Sequence, residues 1–314
     1  MPSIARKFFQ RAFYAVCLTL VSFSAFAASN TWTQGAPMLF PVTDASAVTF
    51  AGKVYVMGGR DGSTPVNYTQ IYNPAKNSWS LGAPIPYAAE GSAGVAYGKY
   101  IYIFGGYDGS SFEGRVYQFE PATGVWLQKT SMPTARGVSA AAVIDGRILV
   151  VGGDAPGANW VPNLEGYDPM SDSWTELAPM PSGRSNLSAA AFGHSLVVSA
   201  GYSATGGMDG STAIYDTTTN VWKAGASSTK VDGSCSAVVL GRFYLFGGGV
   251  LGGAGVNTTR IYDPTANTWK LGKVMPTVNG QAAGAVYNGR VYCFGGANSL
   301  PSTATYNTVE IYTP

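Results

Sequence analysis

The sequence has few charged residues, which make up only 11% of its 314 positions. A typical soluble domain is about 25% charged, yet 46% of this chain is hydrophobic. Disordered proteins combine low hydrophobicity with high charge, so that class is excluded. A coiled coil is excluded as well, because 41 glycines and 18 prolines would interrupt long helices.

Histidine and cysteine are also scarce. The single histidine, His194, cannot supply the imidazole clusters that bind copper or zinc, so we expect neither a metal site nor a cofactor. Besides Cys17 near the N-terminus, the chain has Cys235 and Cys293. An exported protein can join such a pair by a disulfide, but two small buried thiols are the favoured interpretation.

Long apolar runs are missing except near the N-terminus. Residues 12–26 carry no charge, follow three basic residues and end at the sequence Ala25-Phe26-Ala27, whose small residues suit a signal peptidase. We therefore expect a signal peptide at 1–27 and a mature chain at 28–314. A membrane anchor is disfavoured because the run is short for a span, so the expected location is the periplasm or the medium.

The charge balance of the mature chain is nearly neutral. The predicted signal peptide holds three of the 19 basic residues and none of the 17 acidic ones, which leaves 16 basic and 17 acidic residues. Binding to a phosphate backbone needs clustered positive charge. Nucleic acid is therefore not an expected partner.

A repeat of about 47 residues runs through the mature chain. Six tryptophans mark it at intervals of 47 or 48 residues: Trp32, Trp79, Trp126, Trp174, Trp222 and Trp269. Glycine pairs keep the same spacing at 58–59, 105–106, 152–153, 247–248 and 295–296, with Ala200-Gly201 in the remaining place. A tyrosine or phenylalanine stands seven residues before each of these six tryptophans from Trp79 onward. Such a period indicates a repeat architecture.

Each repeat is predicted to contain four short strands. In the third repeat these are a small-residue strand at 138–143, a hairpin turn at Asp145-Gly146, an apolar strand at 148–151, and then strands carrying Tyr167 and Trp174. Four strands in such a unit are typical of one propeller blade. The sequence therefore predicts an all-β fold.

The phrases GGYDGSSFEGRVYQFEPATGVW and GRVYCFGG resemble the kelch repeat, in which an apolar strand ends in a double glycine and is followed by tyrosine and tryptophan. The resemblance covers residues 32–314 and implies a single six-bladed kelch-type β-propeller. The final repeat stops at Pro314 before its tryptophan strand. We therefore expect the segment around Trp32 to complete that blade and remove its open edge.

Charged and polar residues 14 to 16 positions before each glycine pair are predicted to surround the mouth of the central channel. They are Thr43, Asp44, Glu90, Arg136, Arg184, Asp232, Asn279 and Gln281. Arginine forks suit carboxylates or phosphates, so these positions are candidate binding residues. Mutual pairing that closes the channel is the alternative interpretation.

The loops after the glycine pairs lie on the same face and add further candidates: Arg60, Asp61, Tyr107, Asp108, Trp160 and Tyr202. Trp160 is outside the period, so repeat packing does not account for it. An exposed tryptophan can stack on a sugar or anchor a protein, whereas a cover over the blade edge is the structural alternative.

Two classes of function fit these residues. The first is a binding module, expected to be a monomer, that holds a glycan or a protein on the loop-bearing face. The second follows from a distant resemblance to the sialic acid mutarotases, in which Glu90 would be the catalytic residue and Arg136 and Arg184 would hold the sugar carboxylate. The copper oxidases with a similar propeller, such as galactose oxidase, are excluded because they need two histidine ligands. Whether the protein is an enzyme stays open, and binding is favoured because no complete catalytic set is readable.

Overall fold

The computed structural model describes residues 30–203, 207–250, 253–298 and 305–314. The predicted signal peptide lies outside the described residues. Across the described ranges the regular structure consists of β-strands, and no helix there is long and apolar enough to cross a membrane.

Six four-stranded antiparallel sheets, blades one to six in chain order, confirm the predicted propeller. Blade one contains Ser46–Phe50, Lys53–Met57, Thr69–Asn73 and Ser78–Leu81. Blade two contains Ala93–Tyr97, Tyr100–Phe104, Val116–Glu120 and Val125–Lys129. Blade three contains Ala140–Ile144, Arg147–Val151, Leu164–Asp168 and Ser173–Leu177. Blade four contains Ser188–Phe192, Ser195–Ser199, Thr212–Asp216 and Val221–Gly225.

Blade five contains Cys235–Val239, Arg242–Phe246, Thr259–Asp263 and Thr268–Leu271. Blade six contains Ala283–Tyr287, Arg290–Phe294, Val309–Thr313 and the N-terminal strand Thr31–Gln34. Two-residue strands in the connecting segments are Arg60–Asp61, Thr64–Pro65, Arg184–Ser185, Tyr202–Ser203 and Gly207–Met208.

The N-terminal strand closes the ring as predicted. It pairs antiparallel with the last strand of the chain, with Trp32 opposite Tyr312. The Trp32 ring lies 5.0 Å from the Tyr312 ring and 5.2 Å from the Phe246 ring of blade five. The first strand thus completes blade six, covers the edge of the last strand and also packs against blade five.

The repeated tyrosine and tryptophan fasten each blade to the linker that enters it. In blade one, Trp79 Nε1 donates to Ala36 O at 2.9 Å, and Tyr72 OH donates to Asn77 Oδ1 at 2.6 Å. Asn77 Oδ1 also accepts the Ala36 N–H at 2.6 Å. The tryptophan bond recurs from Trp126 to Ala83, Trp174 to Thr130, Trp222 to Ala178, Trp269 to Ala226 and Trp32 to Lys273. The period therefore combines apolar burial with satisfied polar groups.

The apolar core lies between neighbouring blades. Second strands are its most buried parts: from Ile101 to Phe104 no residue is more than 1% exposed. Neighbouring blades cover such a strand on both faces, so it reads as a continuous apolar run. Phe104 of blade two, for example, packs at 5.8 Å against the Tyr167 ring of blade three.

The favoured interpretation of two free thiols is wrong. Cys235, in the first strand of blade five, forms a disulfide with Cys293, in the second strand of blade six. Packing of these adjacent blades brings the two Cα atoms to 5.9 Å, which lies inside the range of about 4.4–6.8 Å that a disulfide spans. The bond joins two blades, and both cysteines are buried.

Candidate functional site

A closed ring of backbone hydrogen bonds surrounds the channel axis. It contains one residue from the start of each blade, and we call it the axial ring: Asp44, Gly91, Val138, Asn186, Gly233 and Gln281. Each N–H donates to the carbonyl of the residue one blade earlier, and the N–H of Asp44 donates to Gln281 O at 3.0 Å. All six have φ between 47° and 62°, a region that a β-branched side chain such as Val138 rarely adopts. The ring bonds hold this strained backbone in place.

The channel at the axial ring is narrow. Its cavity measures about 120 Å³ and is lined by the ring residues together with small neighbours such as Ser92, Ser139 and Ser234. Pockets that enclose a small-molecule ligand usually measure about 300–1,000 Å³. The cavity at the axial ring is therefore too small by itself to enclose such a ligand.

The residue before each axial ring residue pairs with the residue after a glycine pair. Thr43 bridges to Arg60, Glu90 to Tyr107 and Asp232 to Gly249 in antiparallel register. These bridges bring the blade entrances and the variable loops into one surface around the axis. We call this surface, made of the axial ring and the bridged residues, the mouth.

Arg60 connects three blades at the mouth. Its Nε lies 3.1 Å from Asp44 Oδ2 and 3.5 Å from Glu90 Oε2, and its Nη2 donates to Gln281 Oε1 at 3.1 Å. These partners come from blades one, two and six. The predicted binding residues Asp44, Glu90 and Gln281 are thus brought together, and Arg60 is the group that joins them.

The mouth holds more negative than positive charge. Burial raises the pKa of Asp44 against the attraction of Arg60. Burial and then the charge of Asp44 raise the pKa of Glu90, again against Arg60. One guanidinium therefore faces two carboxyl groups, and its favourable interaction does not offset their desolvation.

Asp232 adds a third carboxyl group. Burial raises its pKa to about 6, the charge of Asp44 adds to the increase, and a backbone hydrogen bond from Gly249 opposes it. The residue is 5% exposed, and its Oδ1 atom has no hydrogen-bond partner within the described part of the chain. A cation beside this carboxylate would relieve an unfavourable buried charge.

Arg136 is not available to a ligand, contrary to its prediction as a binding residue. It is 0% exposed, its Nη1 lies 2.5 Å from Glu165 Oε2, and its Nη2 donates to Val150 O at 3.1 Å. Arg136 lies two residues before Val138 of the axial ring, and at this position the side chain points into the interior of the blade. Arg136 therefore belongs to the packing of blade three.

Arg184 and Asn279 occupy the same buried position in other blades. Arg184 is 3% exposed and its Nη2 lies 3.3 Å from Asp209 Oδ2. Asn279 is 1% exposed and donates from Nδ2 to Gly295 O at 2.9 Å. The prediction placed both residues at the mouth because it treated three successive residues of the repeat as equivalent. Their side chains point in different directions.

Aromatic side chains flank the mouth on two sides. Tyr107 packs at 5.3 Å against the Phe112 ring. The Trp160 ring stacks at 5.6 Å on Tyr202, which bridges to Ser185 at the entrance of blade four. Trp160 is half-buried, so the Tyr202 contact explains its place outside the period and leaves part of its surface open.

The single histidine lies far from this surface. His194 is in the hairpin turn of blade four, and its Nδ1 lies 2.8 Å from Asp145 Oδ1 in the matching turn of blade three. These turns belong to the face opposite the variable loops. Among the described residues no group of three or more histidine, cysteine or acidic side chains could hold a metal ion.

Comparison with known proteins agrees with the repeat and the sheet topology. The sequence model of the KLHDC2/KLHL20/DRC7 Kelch-repeats domain matches residues 14–153 and 82–223. No curated protein matches the chain. The matched ranges together span more than half of the sequence, and the tryptophan recurs in all six blades and the glycine pair in five of them. The chain belongs to the kelch-repeat family.

Proposed function

We propose that this kelch propeller is a binding module that holds a protein segment bearing a lysine or arginine side chain on the mouth. Kelch domains generally bind protein partners. The observation that supports a basic partner is the group of three carboxyls, Asp44, Glu90 and Asp232, which Arg60 balances only in part.

Electrostatics favours a cation at this place. Each of the three carboxyls has a raised pKa because burial disfavours its charged form. A lysine ammonium or an arginine fork would supply the missing opposite charge and the hydrogen bond that Asp232 Oδ1 lacks among the described residues. An anionic ligand would add a further negative charge to the same cluster.

The aromatic groups suit the apolar part of such a partner. Tyr107 and the stacked pair of Trp160 and Tyr202 lie on the loops around the acidic centre. Tyrosine and tryptophan provide large contact areas in protein interfaces. The same groups could stack on a sugar ring, so glycan binding is the outcome that the experiment must separate from peptide binding.

Sialic acid mutarotation is not part of the proposal. That reaction would need cations at the mouth to hold the sugar carboxylate. Arg136 and Arg184 are buried in ion pairs with Glu165 and Asp209, and Arg60 already faces Asp44 and Glu90. The charge of the mouth therefore opposes a carboxylate substrate.

We also propose that the protein acts in the periplasm or the medium, as its predicted signal peptide suggests. The Cys235–Cys293 disulfide supports this location, because disulfides persist mainly in oxidising compartments.

A peptide and glycan array tests the proposed function. Labelled protein is expected to bind peptides rich in lysine or arginine, and the double variant Glu90→Gln/Asp232→Asn is expected to lose that binding. Glu176→Gln, an exposed change on the outer strand of blade three, is the matched control and should bind normally. Selective binding of neutral glycans, unchanged in the double variant, would contradict a basic protein partner.

A further inference from the structure

A packing residue of the repeat is missing at the entrance to blade five. Six residues after the tryptophan, the other linkers carry a buried methionine or isoleucine, none more than 5% exposed: Met38, Ile85, Met132, Met180 and Met275. The corresponding residue after Trp222 is Ser228. Its N–H donates to Gly210 O at 2.6 Å, just as the Met132 N–H donates to Gly114 O at 2.8 Å. Ser228 therefore occupies the methionine position with a much smaller side chain.

A pocket is found at this position. It measures about 380 Å³ and is lined by Ser227, Ser228 and Thr229 of the linker and by Arg260, Trp269, Lys270 and Leu271 of blade five. We call it the Arg260 pocket. Its volume is within the range of small-molecule sites, and it shares no lining residue with the cavity at the axial ring.

Arg260 is a buried cation without an acidic partner. It is 3% exposed, its Nε donates to Thr229 Oγ1 at 2.5 Å, and its Nη1 donates to Gly247 O at 3.2 Å. Throughout the described ranges its Nη2 makes no hydrogen bond and the residue forms no ion pair. Burial lowers its pKa to about 10, so the group stays charged near neutral pH.

Comparison between blades shows what is unusual about this residue. The second position of the third strand is Glu165 in blade three, where it pairs with the buried Arg136. In blade five the same position is Arg260, and Val231 stands where blade three has Arg136. Blade five therefore has an arginine where blade three has a glutamate, and it lacks an acidic residue to pair with that arginine. A buried unpaired charge is costly unless an anion accompanies it.

We propose that the Arg260 pocket binds an oxyanion group, either a carboxylate or a sulfate or phosphate. The free Nη2 of the guanidinium and the hydroxyls of Ser227, Ser228 and Thr229 are the donors that the lining residues offer. Arginine forks and hydroxyls are the usual partners of such groups. Because the mouth attracts cations, the propeller has two sites of opposite charge preference.

Calorimetric titration of the purified protein with sodium acetate, sulfate and phosphate at constant ionic strength tests the site. Saturable binding of at least one anion is expected, and the three titrations show whether a carboxylate or a tetrahedral oxyanion is preferred. Arg260→Met and Ser228→Met should each weaken that binding at least tenfold. Ser228→Met introduces the side chain that most of the other linkers carry, and this side chain fills the pocket. The variant is therefore expected to fold even if Arg260→Met does not.

Two controls separate this site from the rest of the molecule. Arg242→Met removes an arginine of the same blade that pairs at the surface with Asp263, and Glu176→Gln alters an exposed residue on the outer strand of blade three. Both should leave the anion affinity unchanged. The proposal is overturned if no anion binds saturably, or if binding is as strong in Ser228→Met as in the native protein.

Discussion

Arg136 Nη1 lies 2.5 Å from Glu165 Oε2, and neither side chain has exposed surface. Glu165→Ala is therefore expected to leave a buried, uncompensated charge and to reduce the free energy of unfolding by about 3–5 kcal/mol. Urea unfolding followed by tryptophan fluorescence measures the change.

Lys99→Ala serves as the control for this pair. Lys99 pairs with Glu120 at the surface and its side chain is 68% exposed, so the variant should unfold at almost the native urea concentration. If Glu165→Ala had native stability but no longer bound a ligand at the mouth, the assignment of Arg136 to the interior of blade three would be contradicted.

The disulfide between blades five and six gives a second prediction. Protein produced from Ala28 onward should show no reactive thiol in denaturant and two after reduction. Removing the bond with Cys235→Ala/Cys293→Ala is expected to lower the free energy of unfolding by about 2–4 kcal/mol. Two free thiols in unreduced, denatured protein would contradict the bridge.

The raised pKa of Asp232 predicts a pH-dependent stability difference. The folded protein binds this proton up to about pH 6, whereas the unfolded chain releases it near the ordinary aspartate pKa of 3.8. Ionisation therefore destabilises the fold increasingly as pH rises between these values, and the effect levels off above pH 6. Asp232→Asn should exceed the native protein in stability by roughly 3 kcal/mol at pH 7.5 and equal it near pH 3.5.

Urea unfolding of both proteins across this pH range measures that difference. Asp44→Asn is less suited to the purpose because Asp44 also belongs to the axial ring. A difference between Asp232→Asn and the native protein that is independent of pH would show that Asp232 titrates normally.

Closure of the ring by the first strand gives a fourth prediction. Trp32 packs against Tyr312 and Phe246 and donates from Nε1 to Lys273 O at 3.3 Å. Trp32→Ala is expected to cost about 3 kcal/mol of unfolding free energy. Trp160→Ala, in a loop outside the period, should cost clearly less in the same denaturation experiment. Equal losses would contradict the closing role of the first strand.

Much of the fold follows from the sequence because every blade repeats the same contacts. Tryptophan and tyrosine mark the period, and each anchors the linker entering its blade through side-chain hydrogen bonds. Blade two shows how closely these residues are connected: Phe119 has no hydroxyl, and Gly124 stands where other blades place the asparagine or aspartate that would accept it. The two changes occur together, so in blade two Phe119 keeps its packing on Trp126 without the hydroxyl bond, while Trp126 keeps its hydrogen bond to Ala83 O.

The candidate site was only partly predictable. Distance from the glycine pair located the blade entrances, but three consecutive residues there have different environments: the first is buried, the second bridges to a loop, and the third faces the axis. Arg136 occupies the first of these three positions in its blade, whereas Glu90 occupies the second. The axial ring also consists of backbone bonds, which side-chain chemistry does not reveal. The substitution of Ser228 for methionine was visible, whereas its spatial relation to Arg260 depends on the fold.

The most direct test of a cation-binding mouth is an NMR titration of the Asp232 side-chain carboxyl carbon, with and without a lysine- or arginine-rich peptide selected from the array. The free protein should give a pKa near 6, and saturating peptide should lower it by about one unit or more because a bound cation favours the carboxylate. An identical titration curve with and without bound peptide would contradict the account.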